Sequence, residues 1–267
     1  MPLLHLLILA LIQGITEFLP ISSSGHLILL PALTGMQDQG LAIDVAVHVG
    51  TLGAVILYFW RDVREAAIGT PRMLTGRTDT PGARLAFLLL IATIPVILIG
   101  LVMKVTGLND LLRSTAVIGA TMLIFGVVLW WADRTGPQEL EASDWTPTDA
   151  IKMGLWQAVA LIPGTSRSGI TITAGRFLGY TRHDAAKLSM LMSIPTIMAS
   201  GGLLALDVIG ETTPGLLRDA AIGAAFAFAA ALAALTLMMR LLRSVSFTPY
   251  VIYRIILGAI LLAIAFT

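Results

Sequence analysis

Cysteine is absent from the 267 residues, which excludes disulfides, thiolate metal ligands and a cysteine nucleophile. Charge is scarce: 12% of the residues are Asp, Glu, Lys or Arg, against about 25% in ordinary soluble domains. The signs nearly cancel, 17 basic residues against 16 acidic, so no electrostatic case for nucleic acid arises. There is no low-complexity tract and no basic tail. No Lys or Arg precedes the first apolar run and no small-residue cleavage site follows it, so that run is expected to be mature sequence rather than a secretory signal. Apolar residues fill the chain instead, at 57% of the total with a mean hydropathy of +0.88. Such a chain cannot cover a water-facing surface and needs lipid as its solvent. The expectation is an all-α integral membrane protein, a single membrane domain over residues 1–267 with the bilayer as its surroundings.

Six stretches approach the ~20 apolar residues that a spanning helix requires: residues 42–60, 85–103, 115–132, 188–206, 220–239 and 250–266. Two others are interrupted. Residues 3–18 are apolar, break at Pro20 and the run Ser22, Ser23, Ser24, Gly25, His26, then resume over 27–32. Residues 150–162 break at Pro163 and Gly164 and at Thr165, Ser166, Arg167, Ser168, Gly169, then resume to about Leu178. Half-helices of ~12 residues cover only ~18 Å, about half the hydrocarbon thickness, which is the pattern of a re-entrant hairpin or broken helix.

Gln13, Ser22, Ser24 and Gly25 stand 144 residues before Gln157, Ser166, Ser168 and Gly169. Each half therefore reads as one broken hairpin followed by three spans, with repeat 1 at about 1–134 and repeat 2 at about 146–267. A hairpin returns to its own side and three spans then cross, so the second copy starts on the opposite side and the repeat is inverted. With both termini outside, the inner regions carry 13 Lys and Arg, Arg176 and Arg254 among them, and the outer regions carry three, Lys104, Arg113 and Arg218. That bias follows the positive-inside rule. It sets the first hairpin on the outer side and the second on the cytoplasmic side.

The polar residues gather at the breaks. Gln13 and Glu17 are four apart and share a helix face. A carboxylate at mid-bilayer costs about 2.5–3.5 kcal/mol on insertion scales, and such residues usually mark function; near a helix end, Glu17 would instead snorkel to water. The Ser22–Ser23–Ser24 run exposes amides and hydroxyls that need partners, either a bound anion or local capping. Arg167 carries a permanent charge on a fork that matches phosphate oxygens, and the helix after Ser166 offers its N-terminus to an anion. The plainer alternative is an Arg167–Glu17 ion pair that locks the two hairpins. Arg167 with hydroxyl and amide donors suits stabilisation of a phosphoryl transition state. His26 could act as general acid, base or nucleophile. Glu17 could orient His26, activate water or hold a divalent ion. Without a dense carboxylate cluster, Mg²⁺ or Ca²⁺ would be held by one carboxylate and the phosphates of a substrate.

Other positions receive plainer readings. His48 and Asp44, one turn apart, read as packing or capping groups, and His5 and His183 as interfacial. Arg61 to Arg84 are explained by topology. Met190, Met192 and Met198 read as packing. Trp60, Trp130, Trp131 and Trp145 read as interfacial anchors, and Pro95 and Pro195 as kinks within spans.

At these residues the sequence resembles the undecaprenyl-diphosphate phosphatases, also called bacitracin-resistance proteins. QGITEFLPISSSGHL (residues 13–27) is similar to the family's E/QxxxE motif and its Ser-rich continuation, PGTSRSGIT (163–171) to its PGxSRSxxT motif, and SFTPYVIYRI (246–255) to its C-terminal stretch. The likeness runs over essentially the whole chain. It implies hydrolysis of undecaprenyl diphosphate to the monophosphate and inorganic phosphate at a bacterial inner membrane, which recycles the lipid carrier of peptidoglycan synthesis and confers bacitracin resistance. Carried over position by position, Glu17 is the essential acid and Gln13 its partner. His26 with Ser22 or Ser23 serves nucleophilic or proton-transfer roles, while Ser166, Arg167 and Thr171 grip the diphosphate. Ser24 and Ser168 complete the expected binding set. The resemblance also implies a divalent cation. Gln13 stands where relatives often have Glu, and an amide neither takes up a proton nor supplies charge. A transporter or flippase for a phosphorylated polyprenyl lipid is the alternative, because paired hairpins are transporter-like architecture. A homodimer is compatible with either.

Arg167→Lys keeps the charge but loses the planar fork. It is expected to fold normally and to lose most activity on a polyprenyl diphosphate in a phosphate-release assay; near-normal turnover would remove Arg167 as the phosphate clamp.

Overall fold

A computed structural model describes residues 2–23, 25–27, 40–108, 112, 114–208 and 215–266. Ser24, Arg113 and the expected return limb beyond Leu27 lie outside the described residues. The helices are α1 (Leu3–Phe18), α2 (Leu41–Tyr58), α3 (Trp60–Leu74), α4 (Pro81–Thr106), α5 (Thr115–Thr135), α6 (Pro147–Val159), α7 (Arg167–Leu178), α8 (Arg182–Val208), α9 (Leu216–Leu241) and α10 (Thr248–Phe266), with a 3₁₀ turn at Ala142–Asp144. Six of these, α2, α4, α5, α8, α9 and α10, are long and apolar enough to cross a membrane. They are the six expected spans.

Local chemistry sets the ends. Thr80 caps α4 by accepting from the Ala83 amide, with Pro81 at the first helical position. Ser114 does the same for α5, and Thr146 for α6, again followed by Pro. These are standard helix-start signals. Only 22–44% of each span's most apolar window is buried inside the protein. The rest, such as Leu90, Ile94, Leu98 and Leu101 of α4, points outward, as lipid requires and water forbids.

The packing crosses between the two halves of the chain. Helix α1 packs chiefly on α9, and α6 on α4; α2 packs on α9 and α8, and α5 on α10. At several contacts the helices come so close that only glycine fits. A Cβ on Gly14 would stand 2.6 Å from the Ala227 carbonyl oxygen, and one on Gly154 would stand 2.5 Å from that of Ala92. The main apolar core runs from Phe18 and Ala54 through Ala92, Ile172 and Met192 to Leu235.

Several expectations are corrected. The Arg-rich segment after Trp60 contains a helix, α3, which packs on the start of α4; one face of it is charged, so the apolar count missed it. Arg72 forms a two-pronged ion pair with Asp79 at 3.0 and 2.7 Å, and these hydrogen bonds hold the Asp79 carboxyl below its ordinary range. Arg254 is wholly buried within α10, so it drops out of the inner-side count of bases. Arg176 is buried too, but at the end of α7, where carbonyl oxygens of Pro137 and Gly136 accept from it at 2.9 and 2.7 Å. Trp145 is 1% exposed and His5 6%, so neither side chain is an interfacial anchor. Met190 and Met192 are buried packing groups, whereas Met198 faces outward.

Gly154→Ala should raise helix propensity by about 1 kcal/mol yet destabilise the protein, because relieving the contact with Ala92 costs about 1–3 kcal/mol. Thermal unfolding in detergent should show a lowered midpoint, and an unchanged or raised one would contradict the close approach of α6 to α4.

Candidate active site

Two breaks in helical structure define the polar centre. The first follows α1: Leu19 is extended, the Ile21 amide donates to the Leu19 carbonyl at 2.7 Å, and Ser22 takes φ 72°. The second lies between α6 and α7, where Ser166 takes φ 70°. These are the two positive-φ residues other than glycine among the described residues. They stand 144 apart, the spacing of the sequence repeat. Such a backbone costs an L-residue about 1–2 kcal/mol, so tertiary contacts must hold it. At Ser166 one contact is a cap, its Oγ accepting from the Gly169 amide at 3.1 Å.

Glu17, in the last turn of α1 and 9% exposed, is the hub. Its Oε2 accepts from Gln13 Nε2 and from Ser23 Oγ, each at 2.9 Å. Its Oε1 accepts from Arg167 Nη2 at 2.8 Å. His48 Nε2 on α2 stands 3.8 Å from Oε2, and its other ring nitrogen bonds the Asp44 carbonyl at 2.7 Å. The expected ion pair between the breaks is present, yet it leaves Arg167 Nη1 buried with no hydrogen-bond partner, along with Gln13 Oε1. A buried donor without an acceptor is costly. A ligand oxygen would relieve it.

These groups open onto a cavity of about 220 Å³ lined by Glu17, Ser22, Ser23, His48, Ser166 and Arg167, and on α8 by Thr196 and Ser200. A larger cavity of about 560 Å³ lies between α3, the start of α4 and α8, but it holds none of the expected site residues. Its Lys187 is already paired with Asp62 at 2.6 Å. The smaller one carries the chemistry: a carboxylate, a guanidinium with a spare donor, and hydroxyls around one space.

The remaining expected residues sit around this space in different ways. His26 does not line it. Its Nδ1 bonds the Ser22 carbonyl at 2.8 Å and its Nε2 the Tyr253 hydroxyl at 2.5 Å. Ser168 Oγ donates to the Leu19 carbonyl at 2.9 Å. Thr171 is fully buried, donating to the Arg167 carbonyl at 2.8 Å and pairing with Ser189 at 2.6 Å. These two act on the framework between the breaks. Ser24 lies outside the described residues.

Arg254 supplies a link that the sequence reading missed. Its guanidinium donates to the carbonyls of Pro20 in the first break (3.3 Å) and of Gly164 and Thr165 in the second (3.2 and 2.8 Å). It also reaches Met122 of α5 at 3.3 Å. The signal was a charged residue inside an apolar span, masked by counting it with a loop. His48, read as packing, lines the cavity; its signal was a second imidazole in a span facing the same centre. Thr196 and Ser200, four apart in α8, carried only the weak signal of small polar residues on one helix face.

As donors for a divalent ion, these residues do not make an all-protein cage, since no group of three His, Asp or Glu gathers among the described residues. The carboxylate of Glu17 is the hard oxygen donor on the cavity wall, with the hydroxyls of Ser22, Ser23 and Ser166 around it, while Gln13 lies behind it, wholly buried. These wall oxygens fit an ion that brings its remaining ligands from substrate phosphates and water.

Fold and cavity together define a multi-pass helical membrane protein whose polar centre sets a carboxylate against a guanidinium. Residues 6–260 match the family described as bacitracin resistance protein BacA. A protein of Jannaschia sp. (strain CCS1) is 71% identical over 266 residues and one of Ruegeria pomeroyi is 69% identical over 267, each alignment covering 100% of both chains. One of Teredinibacter turnerae is 48% identical over 261 residues, 98% of each. All three are named undecaprenyl-diphosphatase. The chain belongs to the bacitracin resistance protein BacA family, as its motifs led us to expect.

Arg254→Gln keeps a polar side chain but is shorter and loses the charge and most of the donors. It is expected to lower stability by about 3 kcal/mol or more, the usual cost of leaving buried polar groups unpaired at several points. Thermal unfolding should register this as a large fall in midpoint, and a wild-type midpoint would mean that the carbonyls of the two breaks have other partners.

Proposed function

We propose that the chain hydrolyses undecaprenyl diphosphate to undecaprenyl phosphate and inorganic phosphate, and thereby recycles the cell-wall lipid carrier and confers bacitracin resistance. Family membership supports the reaction class. The observation that carries the chemistry is that Ser23 Oγ and Arg167 Nη2 engage opposite oxygens of Glu17, at 2.9 and 2.8 Å, while Arg167 Nη1 has no partner. A diphosphate head in this cavity meets the free guanidinium donor and the amide end of α7. As phosphate oxygens draw Arg167, Glu17 Oε1 loses its partner and becomes free to accept a proton.

Ser23 is the nucleophile this geometry favours. Its Oγ attacks the terminal phosphorus and its proton passes to Glu17. The bond to the bridging oxygen breaks, and the lipid monophosphate leaves with that oxygen and its electron pair, taking the proton from Glu17 and returning that side chain to the carboxylate. Water then attacks the phosphoserine, its proton passing by way of Glu17, and inorganic phosphate departs with Ser23 restored. Ser166 and Arg167 hold the equatorial oxygens, where charge spreads in the transition state. Glu17 would hold a divalent cation, which when bound would supply further neutralisation of the phosphates. The cavity admits the head group alone, so the apolar chain stays in lipid between helices.

The same reading extends to the arrangement in the membrane. We infer one membrane domain of two inverted repeats, each a re-entrant hairpin and three spans, in a bacterial inner membrane with both termini outside. The 144-residue interval between Ser22 and Ser166, with matching φ of 72° and 70°, supports it. So does the reciprocal packing of α1 on α9 and α6 on α4. A head group would then enter from the outer side.

Purified protein in detergent with Mg²⁺ or Ca²⁺ present is expected to release phosphate from a polyprenyl diphosphate. Glu17→Gln and Ser23→Ala should each reduce kcat by at least about 100-fold, the typical weight of a base or nucleophile, and a chelator should weaken turnover. Absence of release by well-folded wild type would point instead to lipid transport, and full activity of Ser23→Ala would transfer the attack to water or His26.

A further inference from the structure

The hydrogen bonds of His26 assign a role to a residue in α10 that the reaction scheme leaves unused. A backbone carbonyl only accepts, so the 2.8 Å contact between His26 Nδ1 and the Ser22 carbonyl requires a proton on Nδ1. In neutral His26 the lone pair is therefore on Nε2, and the partner there is the Tyr253 hydroxyl at 2.5 Å, which must donate. The two rings lie within 6° of parallel with centroids 5.6 Å apart, so the phenol is held beside the imidazole by its ring as well as by its hydroxyl. A tautomer is fixed by the bond its other nitrogen makes. Here the Ser22 carbonyl fixes it, and the Tyr253 hydroxyl, free to donate, takes the lone pair that remains on Nε2.

The consequence reaches the cavity through the chain. Ser22 carries the positive φ of 72°, and its carbonyl is the group that His26 grips. The next residue, Ser23, delivers its hydroxyl to Glu17. The neighbour of Tyr253 on α10, Arg254, grips the Pro20 carbonyl on the other side of the same bend. Two consecutive side chains of α10 thus hold the first break from both sides.

We infer that Tyr253 is a positioning residue: its hydroxyl and its ring hold the His26 imidazole in place and, through the Ser22 carbonyl that the imidazole grips, hold the strained bend that aims Ser23 at Glu17. The inference rests on the hydrolase reading above. It differs from direct acid–base use of His26, since the basic nitrogen is turned toward Tyr253 and away from the cavity.

Tyr253→Phe preserves the ring stack and removes only the hydroxyl. With polyprenyl diphosphate as substrate, kcat is expected to fall about tenfold, a fraction of the 10²–10⁴ that a fully engaged catalytic group contributes, with KM unchanged. Nitrogen NMR of histidine-labelled protein in detergent, with the His26 signals assigned by their loss in His26→Gln, should show a protonated Nδ1 and unprotonated Nε2 in wild type. In Tyr253→Phe Nδ1 should stay protonated while the Nε2 signal moves to that of an imidazole nitrogen that has lost its hydrogen-bond donor, and an unmoved Nε2 signal would show that Tyr253 does not hold the ring. Wild-type His26 protonated on Nε2 instead, or a Tyr253→Phe variant with wild-type kcat, would overturn the assignment. A wild type that releases no phosphate would defeat the proposed reaction, and the Nε2 response to Tyr253→Phe would then decide the role of Tyr253 by itself.

Discussion

A helix interrupted in mid-course leaves its last carbonyls without amide partners, and the helix that follows leaves its first amides without acceptors. In hydrocarbon no water makes up the difference. Two such interruptions meet at the centre of this protein, and one guanidinium answers both. Arg254 reaches carbonyls of Pro20, Gly164 and Thr165, so a single side chain from the last helix determines how far apart the breaks lie. Ser168, donating to the Leu19 carbonyl at 2.9 Å, and Thr121, donating to the Pro163 carbonyl at 2.6 Å, complete the stitching. Arg254 has no carboxylate partner among the bonds it makes; its charge is dispersed over backbone dipoles. The site's other arginine remains available for chemistry.

That second arginine is placed against the usual electrostatic preference. Helix N-termini favour anions and C-termini favour cations, but Arg167 begins α7 and Glu17 sits in the last turn of α1. Each is a mismatch within its own helix, and each becomes tolerable only beside the other. A phosphate entering between them satisfies the N-terminus of α7 and the guanidinium together, which the carboxylate of another helix does less completely. The resting ion pair is thus a placeholder that substrate can displace.

The sequence disclosed the framework well. Six apolar runs of about spanning length gave the spans, because helix length and lipid thickness are fixed quantities. The two breaks were legible from Pro, Gly and Ser, and the meeting of Glu17 with Arg167 from the cost of leaving either alone. What was not legible depended on rotation about helix axes. Whether His48 faces Glu17 or lipid, and whether Arg254 belongs to a loop or to the centre, is decided by packing partners 31 to more than 130 residues away in the chain. Thr171 illustrates the opposite error. Its place in a family motif suggested substrate contact, while its hydroxyl is occupied by the helix backbone and Ser189. Amphipathic α3 was lost because its outer face is charged and no uniform apolar run announces it.

The exchange of packing between halves also bears on how the protein is made. The chief packing surface of α1 among the described residues is α9, which begins at Leu216, some 200 residues later in synthesis. At the ~5–20 residues per second of translation, α1 must wait on the order of 10–40 s for the surface against which Gly14 nests. For most of that interval its Glu17 has no Arg167, and throughout it has no finished bundle around it. The insertion machinery, or lipid head groups, must shelter a half-buried acid until the last helices arrive, and a ribosome stalled before α9 would leave a membrane protein with its polar centre open.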